Sequence, residues 1–323
     1  MKPWNLIKKK IIQSSSFVVV THISPEADAI GSQLAMYRLL RNWNKKVKLV
    51  LDDKIPSNLK FFPDIKKIIR LSGYKLNPAD YDTLIVLDTP SVSRLGKLGK
   101  LITEFNLVIN IDHHVSNTRY GDIVWVEEDR SSTGEMLYEL YKIFGVRLDY
   151  KSALYIYSAI MTDSGCFKYA GTSSRTHKIV ANLLELGINP YWVYSQIYEK
   201  NTLNKIRILG ACLESVHKDN GIVWVEITKK MLKKYKARHE DLEGIIDFLR
   251  TIQEADVAVV FQEVRDGIKI TFRSRNQYID VNKIAKYFGG GGHKMASGCK
   301  LTGNLSDVRK MVIKVIKECI NKK

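Results

Sequence analysis

The sequence predicts an α/β protein of two domains, an N-terminal one built on a mainly parallel sheet and a smaller C-terminal α/β one. Three observations predict it. From Ser16 onward short β-branched runs alternate with longer helical patterns; three of those runs end in polar, metal-capable residues; and beyond residue 216 the pattern turns to strands with a hairpin signal and a glycine run. A chain of 323 residues, 45% hydrophobic and 26% charged, is ordinary for a globular protein and leaves room for two cores.

Residues 1–16 are basic but lack a long apolar core with a small-residue cleavage site, and no apolar run reaches about 18 residues. Secretion and membrane spanning are not expected, no membrane partner is either, and a cytoplasmic setting is. Cys166, Cys212, Cys299 and Cys319 form no CxxC pair, which argues against a structural zinc site or a disulfide framework. SFVVVTH then reads as a strand, 28–44 as a helix, and KVKLVLDD, DTLIVLDT and LVINIDHH as further strands. Such a series forms a parallel sheet covered on both faces, whose ligands gather at the carboxyl ends of its strands. Helices follow over 132–143, with Ser132 and Glu135 as a capping box, over 150–161 and over 174–186, where LELGINP reads as a stop. Residues 191–216 read as a helical link. GIVWVEIT, ADVAVVFQEV and GIKITFRSR read as antiparallel strands, the last two joined at Asp266-Gly267. Helices over 280–287 and 305–320 flank the glycine run.

The formal charge is +17, from 51 Lys plus Arg against 34 Asp plus Glu. Such an excess concentrates polyanions near the surface and fits phosphate-bearing substrates. Solvated lysines scattered over helices would give the same sum, so charge by itself selects no function.

The strand ends are more specific. His22, Glu26 and Asp28 share one loop (HISPEAD), Asp88 ends a second strand, Asp112, His113 and His114 end a third, and Asp163 follows a helix in MTDSG. Two divalent cations about 3.5–4 Å apart activate water and stabilise the attacking and leaving oxygens of a phosphoryl group. Hard ions of this kind take oxygen ligands with some imidazole, and Asp88 is the carboxylate best placed to bridge two of them. Taken singly, Asp88-Thr89-Pro90 and Asp163-Ser164-Gly165 are turn signals and His22 is a core histidine. Burying Asp112, His113 and His114 together behind an apolar strand is costly unless they are paired or ligating. Four such groups at matching strand ends form one signal.

Gly289, Gly290, Gly291 and Gly292, followed by His293 and Lys294, let the backbone approach a ligand, and successive N–H groups can form a nest for phosphate oxygens. Arg273 and Arg275 on the preceding strand support anion binding. Phe167, Tyr169 and Tyr287 lie near these motifs and read as core packing rather than base platforms.

HISPEADAIGS, VLDTP, IDHHVSN, SSTGE, MTDSGCFKYAGTSSRTH, LEGIIDFLR, FRSR and FGGGGHKMASG together resemble the DHH phosphoesterase superfamily, in its DHH–DHHA1 branch of nanoRNase and phosphoadenosine phosphate phosphatase proteins. The resemblance implies a DHH catalytic domain over 1–190, a helical linker over 191–216 and a DHHA1 substrate domain over 217–323. It implies two divalent cations, usually manganese, one held by His22, Glu26 and Asp88 and the other by Asp28, Asp88, His113 and Asp163. Asp112 would orient His113 and His114 would face the scissile phosphate, while Arg273, Arg275, Gly289 to Gly292 and His293 would grip a substrate phosphate. A phosphate held there and another at the metals would set a short measuring distance that favours small substrates. The family's usual Pro-Asp-Gly-Asp is here Pro25-Glu26-Ala27-Asp28, so a longer carboxylate must be absorbed and a glycine that tolerates positive φ is lost.

The function so implied is hydrolysis of short oligoribonucleotides, or of the 3′-phosphate of phosphoadenosine phosphate, to nucleoside monophosphates. Partners are short RNA or small nucleotides, with room for a homodimer. A phosphodiesterase acting on cyclic dinucleotides or linear pApA is the second reading. A family-II inorganic pyrophosphatase is disfavoured by the DHHA1-like end, and the Glu26 and Ala27 changes admit a nucleotide- or RNA-binding protein with a decayed centre.

Overall fold

The computed structural model describes residues 2–321. The chain forms two compact units, Met1–Lys200 and Asn201–Lys323.

The first unit runs α1 (Pro3–Gln13), β1 (Ser16–Val20), α2 (Ala27–Asn42), β2 (Lys46–Leu51), β3 (Ile68–Arg70), β4 (Thr83–Leu87), β5 (Val108–Asp112), β6 (Ile123–Val126), α3 (Thr133–Phe144), α4 (Tyr150–Asp163), α5 (Ser174–Glu185) and α6 (Pro190–Tyr198). Its sheet has the order β3-β2-β1-β4-β5-β6, and every adjacent pair is parallel. The β-branched residues of β1, β4 and β5 are buried on both faces. Phe17, Val19, Ile85 and Ile109 face one core with α2, α3 and α4, and the alternating Val18, Val20, Leu84 and Val86 face another with Leu95 and Leu98. The chain winds from β1 to β2 and β3, then returns to place β4, β5 and β6 on the other side of β1. The order therefore reverses between β1 and β4, the crevice where open α/β sheets bind ligands.

Close helix packing fixes the loops above that crevice. A Cβ on Gly31 of α2 would lie 2.6 Å from the Tyr155 carbonyl oxygen of α4, and one on Gly134 of α3 would lie 2.4 Å from the Ala159 Cβ. Helix α1 buries Ile7 and Ile11, one turn apart, which a basic run conceals in the sequence. Of the capping box at α3, half forms: Ser132 Oγ accepts the Glu135 N–H at 3.0 Å, while the Glu135 carboxylate turns to Ser131.

The second unit runs α7 (Leu203–Glu214), β7 (His217–Asp219), β8 (Ile222–Ile227), α8 (Lys229–Tyr235), α9 (Ile245–Leu249), β9 (Val257–Val264), β10 (Gly267–Ser274), α10 (Val281–Tyr287), β11 (Gly291–His293), β12 (Ala296–Leu301) and α11 (Leu305–Asn321). The sheet order is β11-β12-β10-β9-β8-β7. All neighbours are antiparallel except β8 and β9, which pair in parallel, against the expectation of antiparallel strands. The segment between them holds α8 and α9, long enough for a crossover. The stretch 191–216 is two helices rather than one: α6 buries Val193 and Ile197 in the first unit, and α7 buries Ile208 and Cys212 in the second. No helix among the described residues is long and apolar enough to cross a membrane.

Candidate metal centre

The loop after β1 and the first turn of α2 carry His22, Glu26 and Asp28. Glu26 is the N-cap of α2 in extended conformation and Ala27 is its first helical residue, so this position does not call for glycine. Glu26 spans its extra methylene from the solvent side: its side chain is 54% exposed and Oε1 lies 3.3 Å from His22 Nε2. Asp28 is buried and accepts the N–H groups of Thr133 and Gly134 at 2.8 Å each, and the Ser32 hydroxyl at 3.0 Å. It thus sits in the first turn of α2 and against the start of α3, where helix dipoles favour an anion. Burial, then Asp88 and Asp163, nevertheless raise its pKa well above the usual carboxylate value.

Asp88 follows β4 in a left-handed conformation (φ 53°), a strain that persists where surrounding structure over-determines it. Oδ1 accepts the Thr133 hydroxyl at 3.0 Å, and the backbone N–H donates to the Ile111 carbonyl at 3.0 Å. His22 Nε2 lies 3.5 Å from Oδ2, and His113 Nε2 lies 3.6 Å from Oδ1. Burial pushes the Asp88 pKa up, but the three neighbouring imidazoles hold it well below the ordinary value.

His113 Nε2 reaches Asp163 Oδ2, on the last residue of α4, at 3.1 Å and Asp28 Oδ2 at 3.7 Å. Its Nδ1 lies 3.2 Å from the Arg130 carbonyl oxygen, which requires a proton on Nδ1 and leaves the Nε2 lone pair for the cluster. The Arg130 side chain is itself clamped, with Nε 2.5 Å from Glu127 and Nη1 2.8 Å from Glu139. At His22, Nδ1 is 2.8 Å from the Ile23 carbonyl and 3.0 Å from the Arg94 guanidinium. The carbonyl asks for a proton and the guanidinium for a lone pair; the shorter carbonyl contact turns the Nε2 lone pair to Glu26 and Asp88.

Asp112 does not hydrogen-bond the His113 ring as expected. Its Oδ1 accepts the His113 backbone N–H at 2.9 Å and His114 Nδ1 at 2.7 Å, while Oδ2 accepts Asn117 Nδ2 at 2.6 Å. At the strand end the alternation of side chains carries His114 to the same side as Asp112, leaving a main-chain carbonyl to orient His113. His114 is 35% exposed, and although burial lowers its pKa, Asp112 and Asp88 raise it above the ordinary value.

Three sets of ligand atoms lie within 4.8 Å of one another: His22, Glu26 and Asp88; Asp28, His113 and Asp163; and Asp88, His113 and His114. The donor set fits divalent cations on two grounds. Asp88 Oδ2 and His113 Nε2 are buried with no hydrogen-bond partner, a cost that native proteins leave only where something else satisfies the atom. Burial alone would lower the pKa of His22 and His113, yet the surrounding carboxylates raise both to about 10, so the cluster draws positive charge onto itself.

The six expected ligands thus come together. Thr133, Asn117, Arg94 and Arg130 were not foreseen in their supporting parts; SSTGE and IDHHVSN contain two of them, but a main-chain carbonyl such as that of Arg130 has no side-chain signature. In the second unit the glycines have packing duties. Gly289 (φ 73°) ends α10, its N–H donating to Lys286 and that of Gly290 to Ala285 in a Schellman arrangement. A Cβ on Gly290 would lie 2.3 Å from the Gly298 carbonyl oxygen, because Gly291 and Gly292 continue as β11 beside β12. The run is therefore flanked by α10 and a hairpin rather than by two helices. Gly291, Gly292 and His293 are exposed. Arg273 is 30% exposed beside Asp247 at 3.7 Å, whereas Arg275 donates to the Ile252 and Gln253 carbonyls. Phe167 packs on the first core as expected, but Tyr169 and Tyr287 are 48% and 73% exposed.

The DHH family N-terminal domain matches residues 16–160 and the DHHA1 domain residues 221–322. The bifunctional oligoribonuclease and PAP phosphatase NrnA of Thermus thermophilus is 30% identical over 93% of this chain and 89% of its own length. The protein of that name from Bacillus subtilis is 29% identical over 91% of this chain and 93% of its own. The crystal structure of an exopolyphosphatase-related protein from Bacteroides fragilis superposes with a TM-score of 0.91 at 26% identity, covering 98% of this chain and 96% of that one.

Proposed function

This chain belongs to the DHH family and carries its DHHA1 domain, and from that membership we propose a metal-dependent phosphoesterase that hydrolyses short oligoribonucleotides, and the 3′-phosphate of phosphoadenosine phosphate, to nucleoside monophosphates. The observation that carries the proposal is that Asp88 forms one ligand set with His22 and Glu26 and lies 3.6 Å from His113, which forms another with Asp28 and Asp163. His22, Glu26 and Asp88 would hold one cation, and Asp28, Asp88, His113 and Asp163 the other. Bound there, divalent cations, which we take to be Mn²⁺, would supply water activation and neutralise phosphoryl charge. The start of α3 fixes the carboxylates in advance, through the Thr133 and Gly134 N–H groups on Asp28 and the Thr133 hydroxyl on Asp88. The Arg130 carbonyl keeps the His113 proton on Nδ1. His114 donates its Nδ1–H to Asp112, which turns its Nε2 edge away from that carboxylate, and Asp112 and Asp88 raise its pKa above the ordinary value, in keeping with a part in proton donation toward a phosphoryl or leaving oxygen. In the second unit Arg273, Gly291, Gly292 and His293 would grip a substrate phosphate, a reading supported by the exposure of Gly291, Gly292 and His293.

The test is a panel of 5′-phosphorylated di- to pentaribonucleotides, pApA, cyclic di-AMP and phosphoadenosine phosphate, each with Mn²⁺ or a chelator and read by product identity. We expect nucleoside monophosphates from the linear substrates, AMP and phosphate from phosphoadenosine phosphate, and no turnover with chelator. Tight nucleotide binding without turnover under any metal would overturn the proposal.

A further inference from the structure

The second unit carries a groove that none of this chemistry uses. It lies between α11 and the edge of the sheet at β7 and β8, has a volume of about 580 Å³, and is lined by Trp224, Ile313, the cations Arg309, Lys310, Lys314 and Lys317 and the carboxylates Asp219 and Glu318. The four cations fall on one face of α11, since positions 310, 314 and 317 recur at helical spacing. Arg309 pairs with Glu226 at 2.6 Å and Lys317 with Asp219, while exposed Lys310 and Lys314 have no acidic partner among the described residues. Trp224 stacks on exposed His217 with ring centroids 5.3 Å apart and planes 20° from parallel. Its indole Nε1 is buried without a hydrogen-bond partner. Residues 201–323 carry 24 Lys plus Arg against 14 Asp plus Glu, so this unit holds more than half of the net charge of +17.

A cationic stripe beside a stacked aromatic pair is the pairing that binds single-stranded nucleic acid: cations follow the phosphates and an exposed ring face receives a base. We propose that the groove between α11 and β7–β8 is a docking site for single-stranded RNA, with Lys310 and Lys314 on consecutive phosphates and the His217–Trp224 pair beneath a base. Two unpaired lysines one helical turn apart, about 6 Å along the axis, present an extended charge line rather than a single anion pocket. The site adds a partner surface to the hydrolytic reading without depending on it.

The experiment measures binding of a fluorescently labelled ten-residue oligo(A) to the full chain by anisotropy, in chelator, across a salt series. Lys310→Ala/Lys314→Ala should weaken binding about tenfold and lower the log–log salt slope by about 1.4, two phosphate contacts at roughly 0.7 each. Dinucleotide hydrolysis should stay within twofold of the parent, and Lys310→Arg/Lys314→Arg should retain binding. His217→Ala should weaken oligo(A) several-fold and leave polyphosphate of equal charge unaffected. Unchanged affinity and slope in the alanine pair would overturn the proposal, as would equal binding of polyphosphate, an acidic peptide or anionic vesicles with no effect of His217. Loss of dinucleotide hydrolysis in the parent chain would instead count against the hydrolytic reading.

Discussion

The first unit gathers its carboxylates and imidazoles into a buried cluster, whereas the second spreads its glycines from the end of α10 along the edge strand β11 and its arginines at the end of the interior strand β10, although both sets stand in equally family-like strings. In the cluster, Asp28, Asp88 and Asp112 are at most 1% exposed, and Asp88 Oδ2 and His113 Nε2 have no hydrogen-bond partner. Protein donors satisfy Asp28 and Asp112 but leave those two atoms bare, and they are the ones a bound cation would satisfy. In the second unit the reverse holds: Gly289 ends a helix, Gly290 lets β12 approach, and Arg275 binds carbonyls, so each has a structural part with no ligand at all. A charged group with no structural reason is stronger evidence of function than a glycine that has one.

Removing the shared carboxylate tests that contrast most severely. Asp88→Asn should reduce turnover at least a thousandfold, in keeping with loss of the carboxylate that we propose both cation sites share. In chelator it should lower the thermal midpoint, since three neighbouring imidazoles depress the Asp88 pKa and its charge therefore stabilises the folded chain at neutral pH. The parent should gain stability with Mn²⁺ by mass action and the variant should not. A variant that keeps both turnover and the Mn²⁺-dependent shift would dissolve the distinction between the two regions. By contrast Arg273→Ala should raise KM about tenfold with little change in kcat, the mark of binding energy shared by ground and transition states. An equal fall in kcat would place the second unit in the chemical step.

The backbone scaffolds offer a comparison of their own. Gly134→Ala brings a Cβ to within 2.4 Å of Ala159 and should cost about 1–3 kcal/mol, together with a loss of Mn²⁺ affinity because Thr133 and Gly134 hold Asp28. Gly290→Ala should cost a similar amount in the second unit, against the Gly298 carbonyl, and leave Mn²⁺ affinity alone. Urea titration and Mn²⁺ binding on the two variants separate a shared packing cost from a site-specific one.

The strand ends were legible because β-branched runs broken by Asp or His can be read locally, and Asp88, His113 and Asp163 lie together as that pattern requires. What was not legible depended on partners distant in sequence. Alternation is the same for parallel and antiparallel strands, so the β8–β9 pairing was hidden. The hairpin of β11 and β12 is written in GGH and ASGCKL, which show no apolar alternation, and its glycines read as a loop. The ring that Asp112 holds follows from side-chain direction at the end of β5. Ala27 looked like a departure because the sequence does not reveal that the position is helical.

The smallest effect separates a structural carboxylate from the functional ones. Glu135 lies in the first turn of α3, buried like Asp88, yet its oxygens are used: Ser131 Oγ donates at 2.6 Å, Arg175 Nε at 2.7 Å and Thr176 Oγ1 at 3.0 Å. Burial pushes its pKa up, but these donors hold it below the ordinary value. A carboxyl whose folded pKa is depressed contributes stability that is present above its unfolded value of about 4.3 and is lost as pH falls through the lower folded one. Glu135→Gln should therefore lower the urea midpoint at pH 7, and the gap from the parent should narrow below about pH 4.3. A gap that stays constant to pH 3 would mean that the donors recognise the shape of the side chain and not its charge, and Glu135 would then be a packing residue with polar edges.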